Sequence, residues 1–168
     1  MILLVDAGNS RIKSGQYSGG EIVPLEPVAT DSQSLPPAWR ELPPPERVLV
    51  SSVAGADVNT MIEQWVMQLW SLEPVFASVQ TTAAGMTTRY ANPAQLGVDR
   101  WLAALAGFHL AHGAACVIDA GTALTIDIVD HTGVHLGGSI APGLALMVES
   151  LTRNTAHLKL DAFALTDG

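Results

Sequence analysis

The chain has 168 residues, which is long enough for one compact domain or two small lobes. Its hydrophobic share of 48% and charged share of 14% exclude a disordered chain. A net charge of −8 argues against a nucleic-acid-binding surface, because such surfaces need clustered basic residues.

Cysteine content and apolar stretches indicate the compartment. Cys116 is the single cysteine, so the chain forms no internal disulfide, which suits a reducing environment. It lies in an apolar run at 114–118, and we expect it in a core. The N-terminus lacks a basic signal-peptide region, and the most apolar later stretch, 101–118, is interrupted by His109 and Gly113. We therefore expect no membrane span and a cytoplasmic location.

The first half of the chain predicts five strands and one helix. The strands are expected at 1–5, 11–17, 21–28, 47–53 and 74–79, and helical spacing of apolar residues predicts a helix over 58–70. Gly19 and Gly20 favour a hairpin turn, and Asp57 is a candidate N-cap. Residues 30–46 contain five prolines among polar residues and are typical of a surface loop.

The second half begins with a polar stretch at 80–95. A helix is predicted over 98–112, followed by strands at 115–119, 122–129 and 134–140. Leu144, Met147, Val148 and Leu151 have helical spacing and predict a final helix.

An internal repeat links the two halves. Residues 4–9 read Leu-Val-Asp-Ala-Gly-Asn, and residues 117–122 read Val-Ile-Asp-Ala-Gly-Thr. Each copy combines an apolar strand, an Asp-x-Gly turn and two further predicted strands. The repeat predicts a duplicated α/β fold with a cleft between its two lobes.

These two turns are candidate phosphate-binding sites. Glycine accepts positive φ and lets backbone N–H groups approach an anion closely. Gly8, Asn9 and Ser10 would supply donors in the first copy, and Lys13 would add a positive charge. Half of the eight Lys and Arg residues, including Arg11 and Lys13, lie in or beside the motifs. The alternative is an ordinary turn with a solvated lysine, which the paired occurrence makes less favourable.

Two acidic groups and the second turn extend this hypothesis. Asp6, at the end of the first strand, is suited to hold Mg²⁺ through its water shell. Gly121 and Thr122 would contact the same polyphosphate from the second lobe.

A Gly-Val-Asp-Arg segment at 97–100 opens the predicted helix. Asp99 is either a base that deprotonates an attacking hydroxyl or a first-turn carboxylate that complements the helix dipole. Arg100 is either a bidentate anion ligand or a surface ion-pair partner. The glycine-rich segment 137–143 fits both nucleotide contact and close backbone packing.

Together these segments resemble type III pantothenate kinases. That family has Asp-x-Gly-Asn-Thr, Gly-x-Asp-Arg, Asp-x-Gly-Thr-Ala-x-Thr and Gly-Gly-x-Ile-x-Pro-Gly motifs in this order. The matching residues are 6–10, 97–100, 119–125 and 137–143. Ser10 replaces the usual threonine and keeps its hydroxyl group.

The resemblance implies roles for individual residues. It implies an ATP site formed by Asp6, Ala7, Gly8, Asn9, Ser10, Arg11, Ile12, Lys13, Gly121 and Thr122. It implies a pantothenate site formed by Tyr90, Gly97, Val98, Asp99 and Arg100. Asp99 would accept the proton of the substrate hydroxyl, Asp6 would lie near Mg²⁺, and Asp119 would be associated with K⁺ or NH₄⁺.

The resemblance also implies an architecture. It implies the duplicated ribonuclease H-like fold of the actin-like ATPases, with lobes at 1–94 and 95–168 and an interlobe cleft, and a homodimer. Family members are longer, so we expect an incomplete second lobe with exposed apolar surface. The implied reaction converts pantothenate to 4′-phosphopantothenate in coenzyme A biosynthesis. The alternatives are a nucleotide-binding regulatory protein without kinase activity and an actin-like phosphotransferase or phosphatase acting on another small substrate.

Overall fold

A computed structural model describes residues 1–32 and 34–154. The described residues divide into two compact units: one takes in 1–83 and 90–103, and the other 84–89 and 104–154. Among the described residues, no helix has both the length and the apolar character needed to cross a membrane.

The first unit contains a mixed five-stranded sheet. Its strands are β1 Ile2–Ala7, β2 Arg11–Ser18, β3 Glu21–Ala29, β4 Arg47–Ser52 and β5 Val75–Phe76. They lie in the order β3-β2-β1-β4-β5. The first three strands form an antiparallel meander, while β4 pairs parallel to β1 and β5 parallel to β4. Helix α1, Ala56–Trp70, connects β4 to β5.

The core of this unit lies on one face of the sheet. Alternate residues of β1 and β4 are buried, as expected for strands with one face against a helix. They join apolar residues of α1 in one cluster with Leu3, Val5, Ala7, Ile12, Trp39, Val48, Val50, Ile62, Trp65 and Val66 as its buried members. The other residues of β1, Asp6 among them, therefore point to the opposite face.

The prediction of a surface loop at 30–46 was wrong in part. Short 3-10 helices form at Thr30–Ser32 and Pro37–Glu41, and Trp39 in the second is fully buried. Its indole N–H donates to Ser14 Oγ at 3.0 Å, and its ring packs edge-on against Trp65. Pro37 at the first helical position favours the short helix. The large apolar ring of Trp39 makes this segment part of the core.

Three further local predictions differ from the structure. Gly55 precedes α1, so Asp57 lies in the first helical turn and is not the N-cap. The strand predicted at 74–79 is reduced to β5. The polar stretch at 80–95 contains two short strands, β6 Thr82–Ala83 and β7 Met86–Thr88, where Gly85 adopts a positive φ in the turn between them.

The second sheet is built mainly by the later part of the chain. Helix α2 spans Val98–Ala111, and the strands β8 Ala115–Ala120, β9 Ala123–Val129 and β10 Val134–Pro142 follow it. The sheet order is β6-β7-β10-β9-β8, and helix α3 occupies Leu144–Asn154. The boundary between the units falls within α2, between Ala103 and Ala104.

The sequence repeat corresponds to a structural repeat. β8, β9 and β10 form the same antiparallel meander as β1, β2 and β3. The first unit adds parallel β4 and β5, which completes a ribonuclease H-like sheet. The predicted duplicated ribonuclease H-like fold is therefore confirmed. The cleft between the lobes stays a prediction.

Apolar side chains are exposed on the second unit, as expected. β8 is the last strand of its sheet, and Ile118 on it is 63% exposed. Ile140 on β10 is 67% exposed. The prediction that Cys116 lies in a core was wrong, because this residue is exposed on the same edge strand.

A buried polar cluster lies inside the second unit. His135 on β10 is fully buried, and Asp127 on the neighbouring β9 is 2% exposed. The Nε2 atom of His135 lies 2.8 Å from Asp127 Oδ1, while its Nδ1 atom lies 3.4 Å from the hydroxyl of Thr88 on β7. These polar contacts join three adjacent strands of the sheet.

Candidate active site

The first Asp-x-Gly turn connects β1 to β2. The last ladder pair is Ala7 with Ile12, and the Gly8 N–H donates to the carbonyl of Arg11 at 3.0 Å. Asn9 and Ser10, at the tip, are exposed. The turn thus presents backbone and short polar side chains to solvent, as an anion-binding turn requires.

Three polar side chains share one face of the first sheet beside this turn. Asp6 on β1 is directly opposite Lys13 on β2 and Ser51 on β4. Because partner residues on adjacent strands point to the same face, these side chains form a row. Within the described part of the chain, the buried Ser51 hydroxyl has no hydrogen-bond partner. The row combines a carboxylate, an ammonium group and a hydroxyl near the turn.

The Gly-Val-Asp-Arg segment forms the N-terminus of α2. The N–H of Arg100 donates to Asp99 Oδ1 at 2.8 Å, and the N–H of Trp101 donates to the Gly97 carbonyl at 3.0 Å. A Cβ atom on Gly97 would overlap the Asp99 carboxylate. Glycine at 97 therefore provides the space that Asp99 occupies.

Val53 connects this helix start to the end of β1. Its N–H donates to the Ala7 carbonyl at 3.0 Å. Its Cγ1 atom lies 3.8 Å from the position that a Cβ atom on Gly97 would occupy. The segment that carries Asp99 is thus held next to the strand that carries Asp6, within one compact unit.

The remaining predicted substrate residues belong to the same unit. Tyr90, Val98 and Arg100 fall in the 90–103 part of the first unit. Val98 is buried in the first turn of α2, whereas Tyr90 and Arg100 are half-buried.

The second Asp-x-Gly turn lies between β8 and β9 in the second unit. Gly121 donates its N–H to the Ala123 carbonyl at 2.9 Å, and Gly143 donates to the Thr122 carbonyl at 2.9 Å. A Cβ atom on Gly143 would overlap the Gly121 carbonyl oxygen. Of the two explanations for the glycine-rich segment, close backbone packing therefore holds at Gly143. Asp119, at the end of β8, is exposed.

Sequence reasoning missed three residues that shape the first turn: Thr30, Ser51 and Val53. Thr30 was assigned to a surface loop, yet it is buried and hydrogen-bonded to the turn. Ser51 and Val53 were assigned to a strand without a role. Their positions at the end of a strand parallel to β1 were a usable signal, because parallel strands end at the same edge of a sheet.

The carboxylates of the site are compatible with hydrated cations. Within residues 1–32 and 34–154, no three His, Cys, Asp or Glu side chains converge on one point. Mg²⁺ keeps several waters and commonly uses one or two carboxylates with substrate phosphates, so Asp6 and the unpartnered Ser51 hydroxyl are suitable oxygen donors.

Two carboxyl groups with lowered pKa values lie outside these segments. The Thr132 hydroxyl and the Val134 N–H donate to Asp130, and these bonds lower the pKa of its carboxyl group. The N-terminal ammonium group of Met1 lowers the pKa of Glu46. Asp130 is half-buried with partners in its own turn, and Glu46 is exposed beside the N-terminus.

Comparison with known proteins assigns the family. The family model for type III pantothenate kinase matches residues 2–166. The chain belongs to the type III pantothenate kinase family. A type III pantothenate kinase from Nitrosococcus oceani is 39% identical over 167 residues, which cover 94% of this chain and 63% of the relative. One from Dichelobacter nodosus is 43% identical over 164 residues, covering 94% of this chain and 65% of the relative.

The chain is shorter than these members of the family and shares its fold with a solved structure. It spans just under two thirds of the length of the two relatives. A crystal structure of a Baf family protein from Campylobacter jejuni superposes with a TM-score of 0.55 at 23% identity, covering 96% of this chain and 67% of that one. At this identity the likeness supports the fold alone.

Proposed function

We propose that this type III pantothenate kinase family member transfers the γ-phosphoryl group of ATP to the primary hydroxyl of pantothenate. The product is 4′-phosphopantothenate, and the reaction is the first step of coenzyme A biosynthesis. The observation that carries the proposal is the contact between Val53, Ala7 and Gly97. Through it, the glycine turn after Asp6 and the helix start bearing Asp99 are neighbours in one unit.

In the proposed mechanism the first turn binds the polyphosphate. Backbone N–H groups of Asn9 and Ser10 donate to phosphate oxygens, whereas that of Gly8 closes the turn on the Arg11 carbonyl. Lys13 adds a positive charge on the face of the sheet that carries Asp6. Ala7, Arg11 and Ile12 form the strand ends that hold this turn. In the second unit, Gly121 and Thr122 form the equivalent turn and are proposed to contact the same nucleotide.

Asp99 is the proposed general base. Its carboxylate accepts the proton of the pantothenate hydroxyl while that oxygen forms a bond to the γ-phosphorus atom. The bond between the γ-phosphorus and the bridging oxygen breaks, and ADP leaves with that oxygen. Arg100 and Tyr90 are proposed to bind pantothenate. The guanidinium group of Arg100 would bind the carboxylate of pantothenate. Gly97 and Val98 keep Asp99 at the helix start.

Two cations complete the proposal. Asp6 and Ser51 would hold hydrated Mg²⁺, which neutralises phosphate charge when bound. Asp119 is proposed to bind K⁺ or NH₄⁺ together with backbone carbonyl groups, the oxygen donors that such ions take. Omission of each ion from the assay, with the other retained, should lower turnover.

Assembly and location are part of the same proposal. We infer a homodimer, supported by the exposed apolar side chains on the described residues, such as Leu110 at 82% exposure. A sedimentation mass equal to one chain would refute it. We infer a cytoplasmic location from the lone cysteine, Cys116.

The test compares the protein with its Asp99→Asn variant. Purified wild-type chain with Mg²⁺, K⁺ and ATP is expected to consume pantothenate, while sugars and acetate are left unchanged. The variant should bind ATP with unaltered affinity and lose about 10²–10⁴-fold in turnover, the usual contribution of a general base. Arg47→Gln, an exposed change on β4, serves as the control variant.

Each outcome has a defined meaning. Undiminished turnover by Asp99→Asn refutes the assignment of the base and leaves the substrate assignment standing. Tight ATP binding by the wild type without a phosphorylated product refutes the kinase function. Turnover of another hydroxylated compound in preference to pantothenate refutes the substrate.

A further inference from the structure

Thr30 is hydrogen-bonded to the first Asp-x-Gly turn through two groups. It is 8% exposed and is the first residue of the 3-10 helix Thr30–Ser32, directly after β3. Its hydroxyl donates to the Gly8 carbonyl at 2.8 Å, and its N–H donates to the Ser10 carbonyl at 3.1 Å. Thr30, which is 22 positions from Gly8 in the sequence, is therefore hydrogen-bonded to two carbonyl groups of the turn.

These contacts determine which groups the turn can present to an anion. Carbonyl oxygens repel phosphate, whereas N–H groups attract it. In a trans peptide the C=O and N–H bonds point in opposite directions. Because the Gly8 carbonyl points toward the Thr30 hydroxyl, the N–H of Asn9 points away from Thr30, on the exposed side of the turn. Thr30 thereby fixes the orientation of the Gly8–Asn9 peptide.

The second unit holds its turn at the equivalent place. Gly143 follows β10 as Thr30 follows β3, and each is the first residue after the third strand of its meander. Gly143 donates its N–H to the carbonyl of Thr122, the last turn residue before β9, as Thr30 donates its N–H to the carbonyl of Ser10, the last turn residue before β2. A glycine fits there because a Cβ atom would overlap the Gly121 carbonyl. Two copies of one fold thus fix the same turn from the same side.

We propose that Thr30 is a positioning residue for nucleotide binding: its hydroxyl fixes the Gly8–Asn9 peptide so that the Asn9 N–H is directed at the bound polyphosphate. This inference rests on the proposed function of the turn. A bond that served only to stabilise the hairpin would have a different signature. Its loss would lower stability without a selective loss of affinity for ATP.

Two substitutions at Thr30 separate these roles. Thr30→Val keeps the shape and the backbone bond to Ser10 but removes the hydroxyl, whereas Thr30→Ser keeps the hydroxyl. Ser14→Ala is the matched control, since it removes another hydroxyl of the same unit, one that accepts a hydrogen bond from the Trp39 indole. Calorimetric titration of the full chain with MgATP, together with thermal unfolding, measures both quantities.

Thr30→Val should bind MgATP roughly 10-fold more weakly, the effect of one net hydrogen bond. Its KM for ATP should rise by a similar factor while its KM for pantothenate is unchanged. Thr30→Ser should restore the wild-type affinity. Ser14→Ala should lose thermal stability and bind MgATP like the wild type.

The contrary results are distinct. If the wild type binds MgATP and Thr30→Val binds it equally well, the role of Thr30 is overturned and the proposed function stands. If Ser14→Ala loses as much affinity as Thr30→Val, the effect is one of stability and the inference is also overturned. If the wild type binds no MgATP, both fail. Should Thr30→Val not fold, a folded Thr30→Ser with a 10-fold loss of affinity, about 1.4 kcal/mol, overturns the role of the hydroxyl.

Discussion

Replacing Asp127 by alanine is expected to destabilise the protein more than an average substitution does. Asp127 and His135 are 2% and 0% exposed, and their Oδ1 and Nε2 atoms lie 2.8 Å apart. A carboxylate only accepts hydrogen bonds, so Nε2 carries the hydrogen. The substitution leaves that N–H in the interior with its acceptor removed.

The magnitude follows from these contacts. A hydrogen bond to a charged group contributes about 1.5–3 kcal/mol, and leaving a buried donor unsatisfied costs about 1–3 kcal/mol. Both figures describe the same broken bond and are not added; the expected loss for Asp127→Ala is about 3–5 kcal/mol, the range for a buried pair from which one partner is removed. Asp127→Asn retains an acceptor oxygen and should lose about 1–2 kcal/mol.

A double-mutant cycle in urea, followed by far-UV circular dichroism, tests the prediction. The second variant is His135→Phe, which keeps a ring of similar size without its nitrogens. Asp127→Ala combined with His135→Phe should cost at least about 1.5 kcal/mol less than the sum of the single changes. Additive costs, or a loss below about 1 kcal/mol for Asp127→Ala, would show that the buried pair does not stabilise the sheet.

Two further predictions concern the second unit. Gly143→Ala should lower the free energy of unfolding by about 1–3 kcal/mol, because the new Cβ atom must displace the Gly121 carbonyl; an unchanged melting temperature would contradict this. The lowered pKa of Asp130 means that its contribution to stability is present above the ordinary carboxyl pKa and is lost as the pH falls through the folded value. When the pH is lowered below about 4, the free energy of unfolding should therefore fall less for Asp130→Asn than for the wild type. Parallel curves of stability against pH for the two proteins would show that Asp130 does not contribute in this way.

Much of the fold could be predicted because its signals are local. The apolar run before Asp6 and its copy before Asp119 are each a strand, and both turns lie where the glycines indicated. The hairpin at Gly19 and Gly20 has positive φ at both residues, as the sequence predicted. These features depend on residues within a few positions of one another, so composition and spacing are enough.

Predictions failed where long-range packing decides the outcome. Cys116 lies in an apolar run, but β8 is an edge strand and the residue is exposed. Trp39 lies among prolines, but its ring fills the space between the first sheet and α1. Burial of a side chain depends on which surfaces the rest of the chain brings to it, and local spacing contains no such information.

The sequence by itself determined the family, the duplicated meander and the glycine turns, because motifs and hydrophobic periodicity are written in neighbouring residues. Only the tertiary structure decided that Thr30 holds the first turn, that Ser51 stands beside Asp6, and that Val53 joins Ala7 to the start of α2. Each of these contacts joins residues far apart in the chain, so each exists only after the strands have paired and the sheet has brought their ends together.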